Sequence, residues 1–319
     1  MYFKRGFLFY SFFNIRLFFH LLFHKYDLLV ANDLDTLLPN FLVSRLKRLP
    51  LVFDSHEYFT GVPELNYKPF RKWFWKTIER PIFPHLKYIM TVSDSVAELY
   101  KQEYDKRPAV IRNCSKTSSG IPAYSHQELG IPGDHLILIF QGGGINIDKG
   151  GEELIDTVKI TENVSLIIVG SGDILQALKE KVNELNLTNR VKFIPKVPWE
   201  EMMRYTRSAD AGMSLEKDTN LNYRFSLPNK LFDYISAGIP VITGSLPEIR
   251  KVVEENNCGI IIPDIIPQEI SKAIIKLRDD RALLSKLKEN SVNASKILNW
   301  ESESQKIIQF YDEVLRVVK

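Results

Sequence analysis

The chain has 319 residues, 45% of them hydrophobic and 25% charged, which is the composition of a globular protein with room for two domains of ordinary size. Its net charge of +3, from 42 basic and 39 acidic side chains, is too slight to point to nucleic acid. The two cysteines, Cys114 and Cys258, form neither a disulfide framework nor a metal-ligand spacing, which fits a reducing cytoplasm, and no histidine or cysteine cluster calls for a structural metal.

The N-terminal stretch MYFKRGFLFYSFFNIRLFFHLLFHKY is basic and rich in phenylalanine and leucine. Asn14, Arg16 and His20 interrupt it, so no apolar run reaches the length of a membrane span, and no small-residue cleavage site follows. A helix buried in the first domain is the expectation, with a helix lying in a membrane interface as the alternative. KYDLLVAND (25–33) reads as a strand, and Asp33 or Asp35 is placed to cap the helix after it. LPLVFD (49–54) is the next strand, and it puts His56 and Glu57 at its carboxyl end, where ligands of parallel sheets bind. A helix over 67–83 places Phe70, Trp73 and Phe74 on one packing face. Strand, cap and helix follow over 87–104, with Ser93 or Asp94 as cap, and PAVIRN (108–113) is a further strand. TSSGIPAYS (117–125), rich in turn formers, reads as the linker between domains.

The second half alternates strand and helix with about six strands, as a doubly wound domain does. LILIFQ (136–141) is a continuous apolar run, expected of a strand buried on both faces, and opens into GGGINIDKGGEELI. VSLIIVGSGD (164–173) repeats that design, and VKFI (191–194) and AGMSL (211–215) are further strands. In SLPNKLFDYISAGIPVIT (226–243), Ser226 is a candidate cap, Pro228 a first-turn residue and Gly238 the left-handed end of a helix. IPVIT is then a short buried strand, NCGIIIP (257–263) is the last strand, and three helices finish the chain.

Bare backbone at Gly142, Gly143 and Gly144, ahead of a helix and followed by Lys149, suits a diphosphate. It is not a Walker A loop, since no Gly-Lys-Ser/Thr follows, and Gly170-Ser171-Gly172 is not a dinucleotide fingerprint, since Leu175 holds the third glycine position. Ser226, Asn229, Lys230, Asp233 and Ser236 share one helical stripe. A helix N-terminus beside Lys230 suits a phosphate, and Asp233 can accept from a ribose diol. Both glycine turns, Lys230 and Asp233 are expected at one edge of the sheet.

These residues resemble those of a GT-B glycosyltransferase similar to glycosyltransferase family 4, near the bacterial branch with DSHE and LPNKLFEY motifs. The matching pieces are ANDLDTLLP (31–39), FDSHEYFTGVPEL (53–65), TVSDSVAELY (91–100), VIRN (110–113), QGGGINIDKG (141–150) and SLPNKLFDYISAGIPVI (226–242). The resemblance implies an α/β fold of two Rossmann-like domains with a cleft between them. Residues 1–122 would form a shortened acceptor-side domain, 123–298 the donor domain, and 299–319 a helix crossing back to the first. It also implies transfer of a sugar from a nucleotide-diphosphate-sugar to a glycan or lipid-linked acceptor in cell-surface polysaccharide synthesis, with retention and without metal or cofactor. Asp233 matches the family's ribose-binding carboxylate, Lys149 its phosphate-loop base, and Gly142 and Gly143 the glycines beside the donor. Gly170, Asn229 and Lys230 fall with them on the donor side. His56 matches a catalytic-site histidine that reaches toward the transferred sugar, with Asp33 and Glu57 on the acceptor side.

The sequence departs from that pattern in four places. Phe225 stands where the family's paired-glutamate motif has its first acid, Asp233 is shorter than the usual second acid, and Gly144 replaces an arginine. About four strands precede the linker, so the first domain is expected to be incomplete, with an exposed sheet edge and a helix that can meet the inner face of a cell membrane or a partner chain. A non-catalytic nucleotide-sugar-binding protein is the alternative, and a nucleotide-sugar 2-epimerase ranks below it.

Overall fold

The computed structural model describes residues 7–62, 65 and 68–316. The first six residues of the N-terminal stretch, Pro63 and Glu64 of the FDSHEYFTGVPEL piece, Asn66, Tyr67 and the last three residues lie outside the described residues. Two compact units emerge. One comprises the chain through Arg112, Asn220–Ser226 and the part from Gln305 onward; the other comprises Asn113–Thr219 and Leu227–Ser304. The division falls at Arg112/Asn113 and not within 117–125, because the segment read as a linker is bonded into the second unit. Ser118 N donates to Ser236 Oγ (3.1 Å), and Ser118 Oγ donates to Ser236 O (2.7 Å). The final helix, Trp300–Arg316, begins in the second unit and continues in the first.

Among the described residues, the first unit is built on four parallel strands, β1 (Leu29–Asn32), β2 (Leu51–Ser55), β3 (Tyr88–Thr91) and β4 (Ala109–Val110), ordered β1-β2-β3-β4. Its core stacks Phe83 on Tyr100 (4.6 Å between centroids) and sets Phe53 edge-on to Phe83. Ser93 is the cap of the Asp94–Tyr104 helix, its side chain accepting from Val96 N. The Phe7–Phe23 helix forms, but it is not a buried one. Among its described side chains only Leu21 is fully covered, while Leu8, Phe12, Ile15, Phe19 and Phe23 stay exposed. A helix apolar on all sides can bury only the face that finds a partner, here the Leu34–Lys47 helix.

The second unit holds six parallel strands: β5 (Leu136–Gly142), β6 (Val164–Gly170), β7 (Val191–Pro195), β8 (Ala211–Ser214), β9 (Val241–Thr243) and β10 (Gly259–Ile261). Their order is β10-β9-β8-β5-β6-β7. Leu136, Leu138 and Phe140 enter one core and Ile137 and Ile139 the other, so the apolar run of β5 is explained by helices on both faces. Strand order reverses between β5 and β8. That is the topological switch point, and in sheets of this kind the crevice beyond it takes the ligand. The Asn229–Ala237 helix ends at Gly238 with φ 74°, as its position demands. Its N-cap is Pro228. Ser226 does not cap it, because its hydroxyl donates to Tyr223 O (2.9 Å) in the short turn of helix before.

Candidate functional site

Beyond the switch point three pieces of chain meet. The end of β5 and the loop after it bring Gly142, Gly143 and Lys149; the loop after β8 brings Glu216; the Asn229–Ala237 helix brings Lys230. A Cβ on Gly143 would meet nothing within 4 Å, so backbone lies open there. Lys149 and Lys230 converge on Glu216, with Nζ to Oε1 distances of 4.0 and 2.7 Å. Glu216 Oε2 also accepts from Ser214 Oγ (2.7 Å), and Lys230 sits over the Phe140 ring at 4.6 Å. Burial would raise the Glu216 pKa, but the ammonium groups of Lys230 and Lys149 and the hydroxyl of Ser214 outweigh it and hold the carboxyl below its ordinary value. The loop itself is pinned: Lys217 N donates to Asp148 O (2.9 Å), and Lys217 Nζ pairs with Glu153 (2.6 Å).

Gly170 is close by but serves the packing of the two glycine loops. At φ +135° its Cβ would fall 1.9 Å from Gly142 O, and Ser171 N donates to that oxygen at 3.1 Å. Gly172 makes a similar approach to the backbone of Ile145. Asn229 is exposed at the first residue of its helix.

Asp233 differs from the open carboxylate expected. It is 6% exposed, and Oδ1 accepts from Ser115 Oγ (2.6 Å) and Trp199 Nε1 (3.1 Å), Oδ2 from Gln141 Nε2 (3.0 Å). Burial raises its pKa against the opposing pull of those three donors. A carboxylate has about four acceptor positions, so three donors leave one open. Ser236, on the same stripe, bonds to Lys116 O and Ser118 Oγ. The stripe is therefore split, with Lys230 turned to Glu216 and Asp233 and Ser236 fastening the segment around Ser115.

In the first unit, Asp33 and His56 come together where β1 and β2 end. His56 N donates to Asp33 Oδ1 (2.8 Å), which leaves that carboxylate making no capping bond to the helix after β1. His56 Nε2 lies 3.3 Å from Asp54 Oδ2, and the imidazole is 51% exposed. The bond to Asp54 raises the His56 pKa; partial burial opposes it, and the charges of Asp54, Asp33 and Glu57 add to the rise. Burial raises the pKa of Asp33, a residue held at φ 57°. Glu57 Oε2 accepts from Asn222 Nδ2 (2.8 Å).

Two participants escaped the sequence reading. Glu216 is the second residue beyond β8, and that place at the switch point is the signal that marks it. Asp54 stands inside the DSHE piece, two residues before His56, but nothing in sequence shows that it faces the ring. Among the described residues, no group of His, Cys, Asp and Glu is placed to hold a metal ion.

Comparison with known proteins shows the family and the fold. Residues 124–294, more than half of the chain, match the family described as Glycosyl transferases group 1, and residues 1–118 match Glycosyltransferase Family 4. A chitobiosyldiphosphodolichol beta-mannosyltransferase of Candida albicans is 29% identical over 159 residues, 46% of this chain and 34% of that protein. The matched stretch thus spans about a third of that relative's length. An uncharacterized glycosyltransferase of Methanocaldococcus jannaschii is 23% identical over 95% of this chain and 80% of its own. Among solved structures, sucrose-phosphate synthase from Thermosynechococcus elongatus superposes with a TM-score of 0.78 at 18% identity, covering 99% of this chain and 81% of that one. Anabaena HepE in complex with UDP gives 0.74 at 17% identity, covering 95% and 82%. At these identities the structures establish the fold: two parallel-sheet α/β domains of the GT-B kind.

Proposed function

We propose that this chain, which belongs to the glycosyl transferases group 1, moves a sugar from a nucleotide-diphosphate-sugar donor to a glycan or lipid-linked acceptor. The observation that carries the proposal is the convergence of an open glycine loop, Lys149 and Lys230 at the switch point of the second unit. A diphosphate fits there for electrostatic reasons. Two ammonium groups converge there, and the N-terminus of the Asn229–Ala237 helix adds its partial positive charge. Each ammonium has three donors, so Lys230 can keep Glu216 while a second N–H turns to phosphate. The remaining acceptor position of Asp233 is assigned to a ribose hydroxyl.

As the bond between the anomeric carbon and the diphosphate breaks, negative charge grows on the departing phosphate oxygen. Prearranged ammonium groups and amides stabilise that charge more than the ground state, which is how they accelerate the step. The departing phosphate oxygen then takes the proton of the acceptor hydroxyl as it attacks from the same face, so configuration is retained and no protein nucleophile is used. Lysine supplies the charge that a metal would otherwise bring, and the reaction is read as metal-independent. His56 is assigned to the transferred sugar, and its raised pKa keeps more of it as a donor near neutral pH. Asp33 and Glu57 are assigned to the acceptor side. The complex of Anabaena HepE with UDP supports a nucleotide-diphosphate donor, and the lipid-linked substrate in the Candida relative's name supports an acceptor of that class. We place the reaction in cell-surface polysaccharide synthesis, at the cytoplasmic side of a membrane that the Phe7–Phe23 helix contacts from the surface.

The test is turnover. The full chain is offered UDP-, GDP-, dTDP- and CMP-sugars with membrane lipid extract, and release of the nucleotide and glycosylated product are followed. Release coupled to product formation is the expected result. Donor binding without release under any condition would make the chain a nucleotide-sugar-binding protein instead.

A further inference from the structure

The first unit has a groove of about 730 Å³, well within the size of small-molecule sites. Trp75 is its aromatic centre, edge-on to Tyr10 at 5.7 Å and to Phe59 at 5.1 Å. Aliphatic walls come from Ile15, Leu38 and Ile78, on three different helices. Among the described residues, the charged groups in its lining are Asp35, Glu57 and Arg71, and Glu57 follows His56 in the chain.

The surface around the groove is apolar in an ordered way. Leu8, Phe12, Ile15, Phe19 and Phe23 recur at intervals of three and four along the Phe7–Phe23 helix, exposed by 57, 39, 56, 50 and 77%. Leu38, Leu42 and Leu46 do the same on the Leu34–Lys47 helix that packs beside it. Ile15 and Leu38 belong both to these stripes and to the groove. Phe70 and Trp73, on the Pro69–Ile82 helix, are exposed by 71 and 61%.

Charge decides what covers such a face. The Phe7–Phe23 helix has Arg16 and no acidic residue, and on the Pro69–Ile82 helix Lys76 is taken up by Glu79 and Glu103 while Arg71, Lys72 and Arg80 add to the basic side. A second copy would bring the same basic excess and repel. Exposed aromatic and aliphatic side chains flanked by cations suit an anionic bilayer surface. No described helix is long and apolar enough to cross the bilayer, so contact is from its surface.

We propose that this groove takes the hydrocarbon chain of an anionic membrane lipid, drawn from the bilayer on which the two stripes rest. Lined by Glu57 beside His56, it would receive the chain of a lipid-linked acceptor. That last identification rests on the glycosyltransferase reading; capture of the chain does not.

The experiment uses the full protein with vesicles of phosphatidylglycerol whose acyl chains carry bromine, which quenches indole fluorescence at contact. The expected result is co-sedimentation with these vesicles and not with phosphatidylcholine, lost in Phe12→Glu. Among the four tryptophans, the quenched fraction should fall by at least half in Trp75→Phe and much less in Trp73→Phe. Ile15→Gln, at a position already more than half exposed, should weaken quenching without touching the fold, and keeps the test open if Trp75→Phe folds poorly. Vesicle binding with quenching unchanged in both Trp75→Phe and Ile15→Gln would overturn the groove, leaving surface adsorption only. Absence of vesicle binding, or a dimer that Phe12→Glu dissociates and lipid does not, would overturn it as well. Nucleotide binding is measured on the same samples: chain capture without it removes the acceptor identification and leaves the groove standing.

Discussion

Lys230 Nζ lies 2.7 Å from Glu216 Oε1, with the glutamate side chain 1% exposed and the lysine 10%. Burying this pair removes both charges from water, so each depends on the other. Lys149, 4.0 Å from the same oxygen, shares the arrangement.

Glu216→Gln should therefore destabilise the second unit even without ligand. Removing one partner of a buried pair typically costs about 3–5 kcal/mol, because the other charge is left uncompensated. The pH dependence has a defined sign. A carboxyl held below its ordinary value near 4.5 contributes stability that is present above that value and is lost as pH falls through its folded-state value. Urea unfolding of wild type should weaken through the acid range, and the variant should lack this component. An unchanged midpoint in the variant at neutral pH would count against the pair.

The His56–Asp54 contact is expected to set the histidine's titration. A proton NMR titration should place wild-type His56 above the ordinary 6.5, and Asp54→Asn should bring it back toward 6.5. Stability linked to this group is full below 6.5 and declines as pH rises through the folded-state value. An identical titration in both proteins would detach Asp54 from the ring.

For Asp233, alanine and asparagine should behave differently. Asp233→Ala leaves Ser115, Trp199 and Gln141 each without its acceptor, and a buried orphaned donor costs about 1–3 kcal/mol. Its melting temperature should drop markedly before any ligand is added. Asp233→Asn keeps an oxygen for Ser115 and Trp199, so it should remain folded while binding nucleotide about tenfold more weakly, the worth of one charge-assisted hydrogen bond. Undiminished affinity in a folded Asp233→Asn protein would show that the ribose contacts something else.

The two glycine positions offer a matched contrast. Gly170→Ala forces a Cβ to within 1.9 Å of Gly142 O at a φ of +135°, so the loops must separate and thermal stability should fall. Gly143→Ala projects into open space and should change stability by no more than about 0.5 kcal/mol. Loss of nucleotide affinity in the second variant would then report contact at the loop. Equal stability losses in both would mean that the Gly143 backbone is not open.

What the sequence made legible was what short-range chemistry determines. The unbroken apolar runs of β5 and β6, the left-handed end at Gly238 and the Ser93 cap all follow from residues within a few positions of one another. Lys149, Lys230 and the bare backbone at Gly143 can be set near one sheet edge from sequence because strand ends and helix starts announce themselves. Glu216 was missed because it is one acid in the polar run EKDTN, buried only where the β5 loop and the Asn229–Ala237 helix close over it. Ser115 lay just ahead of a stretch read as linker, and its bond to Asp233 spans 118 residues. Asp33 offered a helix cap by its position, but the His56 amide, from the next strand, takes its carboxylate. The Phe7–Phe23 helix is apolar on every side, so its sequence alone did not tell the packed face from the exposed one.

The measurement that most directly tests the donor site is a thermal-shift titration of the full chain with a panel of nucleoside diphosphates, their monophosphates as controls, beside Lys149→Ala. A ligand that binds only the folded state at about a hundred times its Kd adds about 2.7 kcal/mol. One diphosphate should raise the melting temperature in step with the logarithm of its concentration, its monophosphate should do so far less, and the variant should lose most of the shift. A folded wild-type protein that no diphosphate stabilises, or a shift that survives unchanged in Lys149→Ala, would contradict the assignment of the switch-point site to the donor.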